Sequence, residues 1–475
     1  MRQWMGGIAV LLVGLGIGAP AQAQVETDTA VATTGAAEQS SEYRVDVGGY
    51  GSFRLEGSNR NAGGEPAFTL RRFVVTTDAR VGSRLQVYSE VEYERLGGIE
   101  VERGVERDGG GLKFEQELEG TNGSELALEQ AWAQLNLTPG LGVRFGAVLP
   151  PVGRFNLRHD DNLWNFPRRP LIDRSAQVLP GKAAWTEMGL GVVGQKEFTS
   201  GARLGYQAYL LTGTTLDFTL EQVAQTRAPK RSKLEVEAEV SPTQGAFDGS
   251  NAADAVAGRL ELSPTLGSEF AISGYLGRYT PEWLDVNESL ATVGLDGKQK
   301  LGSFYLEGEF LYSRYAGVDR VAESFARAVV ERAVETSSAE AATLESDIEV
   351  ELKNLAETRY GFWVDLGRPI SLKRGTLGFE EPVLTPTVRY EQAWVGSGIA
   401  ELDFSGGAVT GLERADQRQR RLSIGLAFRP ITQAVVQLAY ERSAPVEGDL
   451  FSPEVGAEDA GRTIHGLTLG LAVGF

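Results

Sequence analysis

The arginines between Leu149 and Lys182 are the residues of this chain best suited to chemistry. A guanidinium group binds phosphate or carboxylate through two parallel hydrogen bonds, so a cluster of arginines can attract and hold an anion. The segment has a local charge of +3 in a chain whose formal net charge is −18. Its bases are Arg154, Arg158, Arg168, Arg169, Arg174 and Lys182, and its acids are Asp160, Asp161 and Asp173.

Two interpretations of this cluster stay open. In a narrow pore a ring of arginines raises the local anion concentration and selects the solute. Alternatively, the same side chains pair with neighbouring carboxylates and fix the segment in place. Both can hold for different arginines of the segment.

Glutamates at alternating positions form a second candidate site. Glu90 and Glu92 lie two residues apart, as do Glu307 and Glu309, so each pair projects from one side of a strand. Paired carboxylates can act as a general acid and base, but nothing in the sequence marks a closed pocket that would separate their pKa values. We therefore expect them to line a solvated wall opposite the arginines, and we expect no enzymatic activity.

The chain has two histidines, His159 and His465. His159 lies beside Asp160 and Asp161, and ligands adjacent in sequence rarely converge on one metal ion. Hydrogen bonding within the segment is the favoured role, and neither a metal site nor a cofactor is predicted. His465 is expected on an outer face without the flanking serine that a hydrolase would need.

The elements that must position these residues are strands. In the last one, Leu467, Leu469, Leu471, Val473 and the terminal Phe475 alternate with small residues. A period of two with apolar side chains on one face is typical of a strand that separates lipid from a lumen. Because polar residues on the opposite parity cannot fill a dry core, a wet interior is expected.

The same alternation of apolar with small or polar residues recurs along the chain and predicts about sixteen strands. Very short connections alternate with long ones, the pattern of periplasmic turns and external loops in a transmembrane antiparallel β-barrel of all-β class. An even strand number fits single-chain bacterial barrels. The predicted strands are 44–57, 66–81, 83–95, 124–137, 140–149, 184–197, 202–213, 254–263, 267–279, 287–300, 302–315, 356–368, 382–395, 417–429, 432–443 and 462–475.

Composition and the N-terminal residues agree with export to the outer membrane of a Gram-negative-type bacterium. Residues 1–23 read as a signal peptide, 24–42 as a flexible lead-in and 43–475 as the barrel. The chain contains no cysteine and 59 glycines, so strand pairing rather than disulfides must hold the fold. The acidic balance argues against nucleic-acid binding. Outer-membrane lipid is an expected partner.

The connection 317–357 has a helical pattern. Val321, Phe325 and Val329 recur at helical spacing, and Leu344, Ile348, Leu352 and Leu355 do so after a break at 336–338. A hairpin of two amphipathic helices is therefore predicted at the outer mouth. It could serve as a lid, plug or partner-binding knob, or it could be a self-packed surface hairpin.

Several short motifs carry a resemblance to a known family. These are FTLRRFV at 68–74, EQAW at 129–132 before a Pro-Gly turn, RFG at 144–146 and PPVGR at 150–154. Over residues 43–475 the chain resembles the phosphate-selective porins O and P. The resemblance implies a sixteen-stranded, usually trimeric barrel whose lumen carries an arginine ladder and a central anion site.

The resemblance adds Arg71 and Arg144 to the predicted solute-binding residues. The resulting prediction is a porin for passive diffusion of small hydrophilic solutes, anions such as phosphate in particular, narrowed by the segment 149–182. The alternatives are a binding or adhesion barrel with a closed lumen and an outer-membrane hydrolase. The sequence does not name the solute or establish the oligomeric state.

Overall fold

The computed structural model describes residues 43–59, 66–94, 99–108, 111–120, 125–174, 176–181, 183–228, 231–243, 254–336, 347–353, 355–405, 408–447 and 463–475. The predicted signal peptide (1–23) and lead-in (24–42) lie outside these residues, as does Lys182. Within the described residues, none of the helices is long and apolar enough to cross a bilayer.

Sixteen strands form a closed antiparallel barrel. The first strand pairs with both the second and the last, so the sheet leaves no edge unpaired there. All sixteen predicted strands are confirmed. In chain order the strands up to the middle of the chain are β1 (Tyr43–Ser58), β2 (Ala67–Val81), β3 (Leu85–Glu94), β4 (Ile99–Asp108), β5 (Gly111–Gly120), β6 (Glu125–Thr138), β7 (Leu141–Val148), β8 (Glu187–Glu197), β9 (Arg203–Leu211), β10 (Thr215–Ala228) and β11 (Arg231–Thr243).

The remaining strands complete the circle. They are β12 (Ala255–Ser263), β13 (Ser268–Arg278), β14 (Ser289–Leu301), β15 (Phe304–Tyr315), β16 (Asp347–Lys353), β17 (Ala356–Gly367), β18 (Ile370–Ser371), β19 (Val383–Ser405), β20 (Ala408–Ile431), β21 (Ala434–Glu447) and β22 (Ile464–Gly474). Strands β4, β5, β10, β11, β16 and β18 lie outside the barrel wall. β4 and β5 pair only with each other among the described strands.

The two faces of the wall differ as the alternation predicts. In β22, Leu467, Leu469 and Leu471 are exposed on the outside, whereas Thr468 and Ala472 are buried inside. On the other barrel strands, too, the large apolar residues at alternating positions are exposed on the outside. An antiparallel barrel with an apolar outer face is the structure that spans an outer membrane, because it satisfies every backbone hydrogen bond internally. The chain is therefore an outer-membrane barrel.

The connection 317–357 corrects one prediction. The first half forms helix α3 (Val318–Thr336), as its spacing indicates, but the predicted second helix is wrong. Residues 347–353 form β16, which pairs in parallel with β11 and antiparallel with β19. The reason is that Ile348, Val350 and Leu352 alternate strictly with charged residues, a period of two. Val350 and Leu352 are buried.

The connection predicted at 396–416 is instead a continuation of two strands. β19 and β20 remain paired as far as Ser405 and Ala408, well beyond the barrel wall. Once past the bilayer a strand has no need of an apolar outer face, so the alternation that marks a membrane strand is lost.

The lumen is occupied by residues 149–186, which we call the inner segment. It leaves β7 at mid-height and returns to β8, and it contains two short helical turns, α1 (Arg154–Leu157) and α2 (Leu171–Arg174). Apolar side chains of the inner segment, of the wall and of α3 form one buried cluster. The expectation of a wholly wet interior is therefore wrong, since part of the lumen is a packed core.

Glycines of the wall leave room for the inner segment. A Cβ added at Gly425 would lie 2.6 Å from the Phe166 ring, and one at Gly470 would lie 2.7 Å from Pro167. Such contacts are closer than side chains tolerate. The small inward residues of β20 and β22 thus allow the inner segment to lie directly against the wall.

Candidate functional site

Ion pairs join the inner segment to the wall at several heights. Arg154 is buried, and its Nε lies 2.7 Å from Glu307 Oε1. It also binds Glu269 and lies 4.0 Å from Asp296. Buried charges are tolerated only when they are paired in this way, so Arg154 fixes the segment to β13, β14 and β15.

Arg168 makes a similar attachment nearer the external mouth. Its guanidinium lies 2.7 Å from Glu56 and 2.8 Å from Glu441, on β1 and β21. Arg54 of β1 donates to the backbone carbonyl of Pro167. The inner segment therefore spans the lumen from β13–β15 on one side to β1 and β21 on the other.

Arginines of the wall also reach towards the segment. Arg429 donates to the carbonyls of Asn162 (2.7 Å) and Trp164 (2.9 Å). Arg389 is paired with Asp365 and lies 4.8 Å from the centroid of the Phe166 ring. Cation–π contacts of this kind add to the ion pairs that fix the segment.

A charged layer lies at mid-height between the inner segment and the neighbouring strands β2, β3 and β6. Arg72 Nη1 lies 2.6 Å from Glu92 and 3.7 Å from Glu129, and its Nη2 lies 3.2 Å from Glu94. The exposed fraction of these four residues is 2–4%. His159 of the inner segment joins the layer, with Nε2 3.3 Å from Glu129 Oε2.

His159 and Asp161 are among the ionisable groups of the inner segment whose pKa values are shifted. Burial lowers the pKa of His159, but the adjacent Glu129 carboxylate outweighs burial and raises it to about 10. Burial raises the pKa of Asp161, but the Arg72 and Arg169 guanidinium groups outweigh it and hold the pKa well below its usual range. In the absence of another cation, both groups are charged at neutral pH.

The predicted site residues divide into two groups. Arg154, Arg168 and Arg169 are bound by carboxylates or backbone carbonyls, Arg169 by Asp173 at 3.5 Å and by the Ala183 carbonyl. Arg71 binds Glu94 at 2.9 Å. These contacts favour the interpretation in which most of the arginines fix the segment in place.

Arg158 and Arg144 are placed differently. The Arg158 side chain is partly exposed and has no hydrogen bond or ion pair among the residues that the structure describes. Arg144 donates to Gln134 at 3.0 Å and lies 3.8 Å from the centroid of the Trp132 ring. The Arg174 side chain lies outside the described part of the chain.

The glutamates do not stand opposite the arginines across a gap, so that expectation is wrong. Glu307 contacts Arg154 directly, and Glu92 contacts Arg72. Glu309 accepts hydrogen bonds from the Phe155 backbone and from Trp363 Nε1 at 2.9 Å. The physical reason is that charges desolvated by the inner segment are stable only in direct contact with an opposite charge or a donor.

Glu90 and the two histidines have local partners. Glu90 accepts hydrogen bonds from Gln130 at 2.7 Å and Tyr88 at 3.3 Å. His159 Nδ1 bonds to the Asn156 carbonyl at 2.9 Å, which confirms hydrogen bonding within the segment. His465 is exposed on the outer parity, and its Nδ1 lies 2.6 Å from the Tyr440 hydroxyl.

Two β-bulges explain site residues that sequence parity missed. In β2 the register shifts so that Arg72 pairs with Ser52 and Leu70 with Phe53, leaving Arg71 as the extra residue. In β6 the corresponding extra residue is Glu129. A bulge redirects side chains, so adjacent residues can both face the lumen. Strict alternation places only one of two adjacent residues in the lumen. It therefore could not predict that Arg71 and Arg72, or Glu129 and Gln130, both lie on the inner side.

Other missed residues follow simple alternation. Asp296, Asp365, Glu391, Arg389 and Arg421 lie on the inward parity of their strands and are buried. Arg421 Nε lies 2.7 Å from Glu391 Oε1. An inward charge in a strand with an apolar outer face is the signal that could have identified them.

Comparisons with known proteins are limited to remote likenesses. No family model matches the chain. An uncharacterized protein of Aquifex aeolicus (strain VF5) is 29% identical over 216 residues, which cover 44% of this chain and 42% of that protein. The match thus spans less than half the length of this relative.

Solved structures of similar architecture include three outer-membrane proteins. An anion-selective porin from Comamonas acidovorans has a TM-score of 0.48 at 9% identity, covering 91% of this chain and 100% of that one. Salmonella typhi OmpF has the same TM-score and identity, covering 91% and 98%. The outer membrane channel DcaP of Acinetobacter baumannii has a TM-score of 0.44 at 11% identity, covering 91% and 97%. At these scores the function of this chain must rest on its own geometry.

Proposed function

We propose that this barrel is an outer-membrane channel for passive diffusion of small hydrophilic solutes, narrowed by the inner segment. The observation that supports the proposal is the polarity of the inward face. Ionisable side chains occur on it from near the external mouth to near the periplasmic turns, as Glu56, Arg72 and Lys298 illustrate. A barrel that served only as an anchor could fill its interior with apolar residues.

The narrowest part of this passage would be the charged mid-height layer. Arg72, Glu92 and Glu129 are almost inaccessible to water, whereas charged groups on either side of the layer are partly exposed. On the external side these include Arg168, with an exposed fraction of 25%, and on the periplasmic side Lys298, with 40%. A constriction between two wetter vestibules would admit only small solutes.

Anions, phosphate among them, are the solute class that Arg158 favours. Its guanidinium is partly exposed and has no direct carboxylate partner among the described residues, although Glu269, Glu307 and Glu261 lie near enough to interact with it. A charge close to the passage influences ions more strongly than the net charge of the chain, because screening removes distant charges.

The selectivity proposal is tested with Arg158→Glu in planar bilayers under a salt gradient. We expect the wild type to show an anion-selective reversal potential and the variant to shift it towards cations, since the change reverses a charge beside the passage. Arg374→Glu is the matched control, because Arg374 lies in an exposed periplasmic turn, paired with Glu380. Cation preference in the wild type, or equal shifts in both variants, would contradict the anion assignment.

A second candidate is a binding barrel with a closed lumen. It is favoured by the low exposure of the mid-height layer and by the packing of α3 residues such as Val321 and Phe325 into the buried cluster. Such a barrel should insert into bilayers without conducting ions. A homotrimer stays a prediction, which sedimentation of the detergent-solubilised protein can test.

A further inference from the structure

The charged layer contains a group of side chains suited to a metal ion. One donor atom from each of Glu90, His159 and Asp160 lies within 4.8 Å of the other two. Two donors bound to one tetrahedral Zn²⁺ at about 2.0–2.2 Å lie about 3.4 Å apart, so side-chain movements of about 1 Å would close the site. The Glu129 carboxylate lies 3.3 Å from the same His159 Nε2.

The orientation of His159 favours coordination through Nε2. Its Nδ1 lies 2.9 Å from the Asn156 carbonyl, which fixes Nδ1 as the donor and directs Nε2 towards the carboxylates. Metal-binding histidines are held in this way, with the second ring nitrogen donating to a carbonyl or carboxylate.

His159 is the basic neighbour of Asp160, at 3.9 Å, and Glu90 has hydrogen bonds but no ion pair among the described residues. Within the described residues, neither Glu90 nor Asp160 forms an ion pair with an arginine or lysine, in contrast to Glu92. Glu90 has an exposed fraction of 3%, so burial disfavours a charge on it unless a cation is bound nearby. A divalent cation would neutralise both carboxylates at once.

An independent observation points to a missing ligand. The Tyr50 side chain is 2% exposed, and its hydroxyl has no hydrogen-bond partner among the described residues. The charges of Asp160, Asp161, Arg72 and Glu129 act on this hydroxyl, so it lies close to the same group. A buried hydroxyl without a partner is uncommon, and a metal-bound water would supply one.

We propose that Glu90, His159 and Asp160 bind a divalent transition-metal ion, with Zn²⁺ as the representative, at the contact between the inner segment and β3. One imidazole and two carboxylates form a ligand set that suits Zn²⁺ better than Ca²⁺, which prefers six or more oxygen atoms. The ion enters from the side of Asp160, whose side chain has an exposed fraction of 26%. It fixes the inner segment to the wall.

The test is calorimetric titration of the folded, detergent-solubilised protein with Zn²⁺, and with Ca²⁺ for comparison. We expect one Zn²⁺ per chain and a loss of affinity of at least about tenfold in His159→Gln and in Asp160→Asn. The matched control is His465→Gln, which removes the other histidine and should bind as the wild type does. Resistance of the barrel to SDS before heating shows which variants are folded.

The proposal is overturned if the folded wild type binds no Zn²⁺, if it prefers Ca²⁺, or if His465→Gln weakens binding as much as the other variants do. If His159→Gln fails to fold, Asp160→Asn decides, because it retains the size of the side chain. Unchanged affinity in folded Asp160→Asn would then contradict the site. The titration measures no transport, so its outcome is independent of the proposed channel.

Discussion

Replacing residues 150–185 by a short glycine–serine turn is expected to raise the single-channel conductance several-fold. The inner segment crosses the lumen between Arg154, bound to β15, and Arg168, bound to β1 and β21. Barrels of sixteen strands are wide enough for an aqueous channel once their lumen is clear. Val148 and Glu187 pair across β7 and β8, so a turn of a few residues can join the two strands.

The measurement is single-channel recording in planar bilayers, with the deletion and the wild type compared at equal salt. Removal of the β4–β5 hairpin is the control, since those strands pair only with each other among the described strands and should leave conductance unchanged. A folded deletion variant whose conductance equals that of the wild type would show that the inner segment does not set the constriction.

Replacing Arg72 by methionine is expected to have the largest effect of any single substitution on the free energy of unfolding, a loss of about 3–5 kcal/mol. Arg72 is 2% exposed and is the cation that contacts Glu92 and Glu129. Without the Arg72 guanidinium, the buried Glu92 and Glu129 carboxylates lie close together and lose the positive charge between them. Urea unfolding of the barrel in detergent, followed by tryptophan fluorescence, measures the loss.

Two companion variants make this result specific. Arg44→Met breaks the Arg44–Asp46 pair, which is exposed on both sides, and should cost no more than about 1 kcal/mol. Adding Glu92→Gln to Arg72→Met should restore part of the lost stability, because Glu92 is the carboxylate that loses its cation while Glu129 keeps His159. Equal losses in Arg72→Met and Arg44→Met would mean that the charged layer does not stabilise the inner segment.

The barrel could be predicted from the sequence because each membrane strand repeats a two-residue pattern. Leu467, Leu469 and Leu471 must face lipid, so their neighbours must face inward, and a slip of one residue would expose the wrong face. The short turns then fixed the strand order. The β4–β5 and β10–β11 hairpins, β16 and the long β19–β20 pair depart from the predicted strands. They lie at the external end, where no bilayer imposes the pattern.

The site was less predictable because its contacts join distant parts of the chain. The inner segment could be recognised by its arginines, but their partners, such as Glu56 and Glu441, lie on strands at opposite ends of the sequence. Nor could alternation reveal that bulges turn Arg71 and Glu129 towards the lumen. From composition alone, an arginine that pairs with a carboxylate could not be distinguished from one that is exposed to the solute.

The most direct test of the proposed channel is a swelling assay with the wild-type protein in liposomes. We expect the liposomes to swell in small sugars and amino acids at rates that fall steeply with solute size, because the passage is narrowed at mid-height. Protein-free liposomes provide the baseline. Folded, inserted protein that permits no swelling with any solute would contradict the channel and would favour the closed binding barrel.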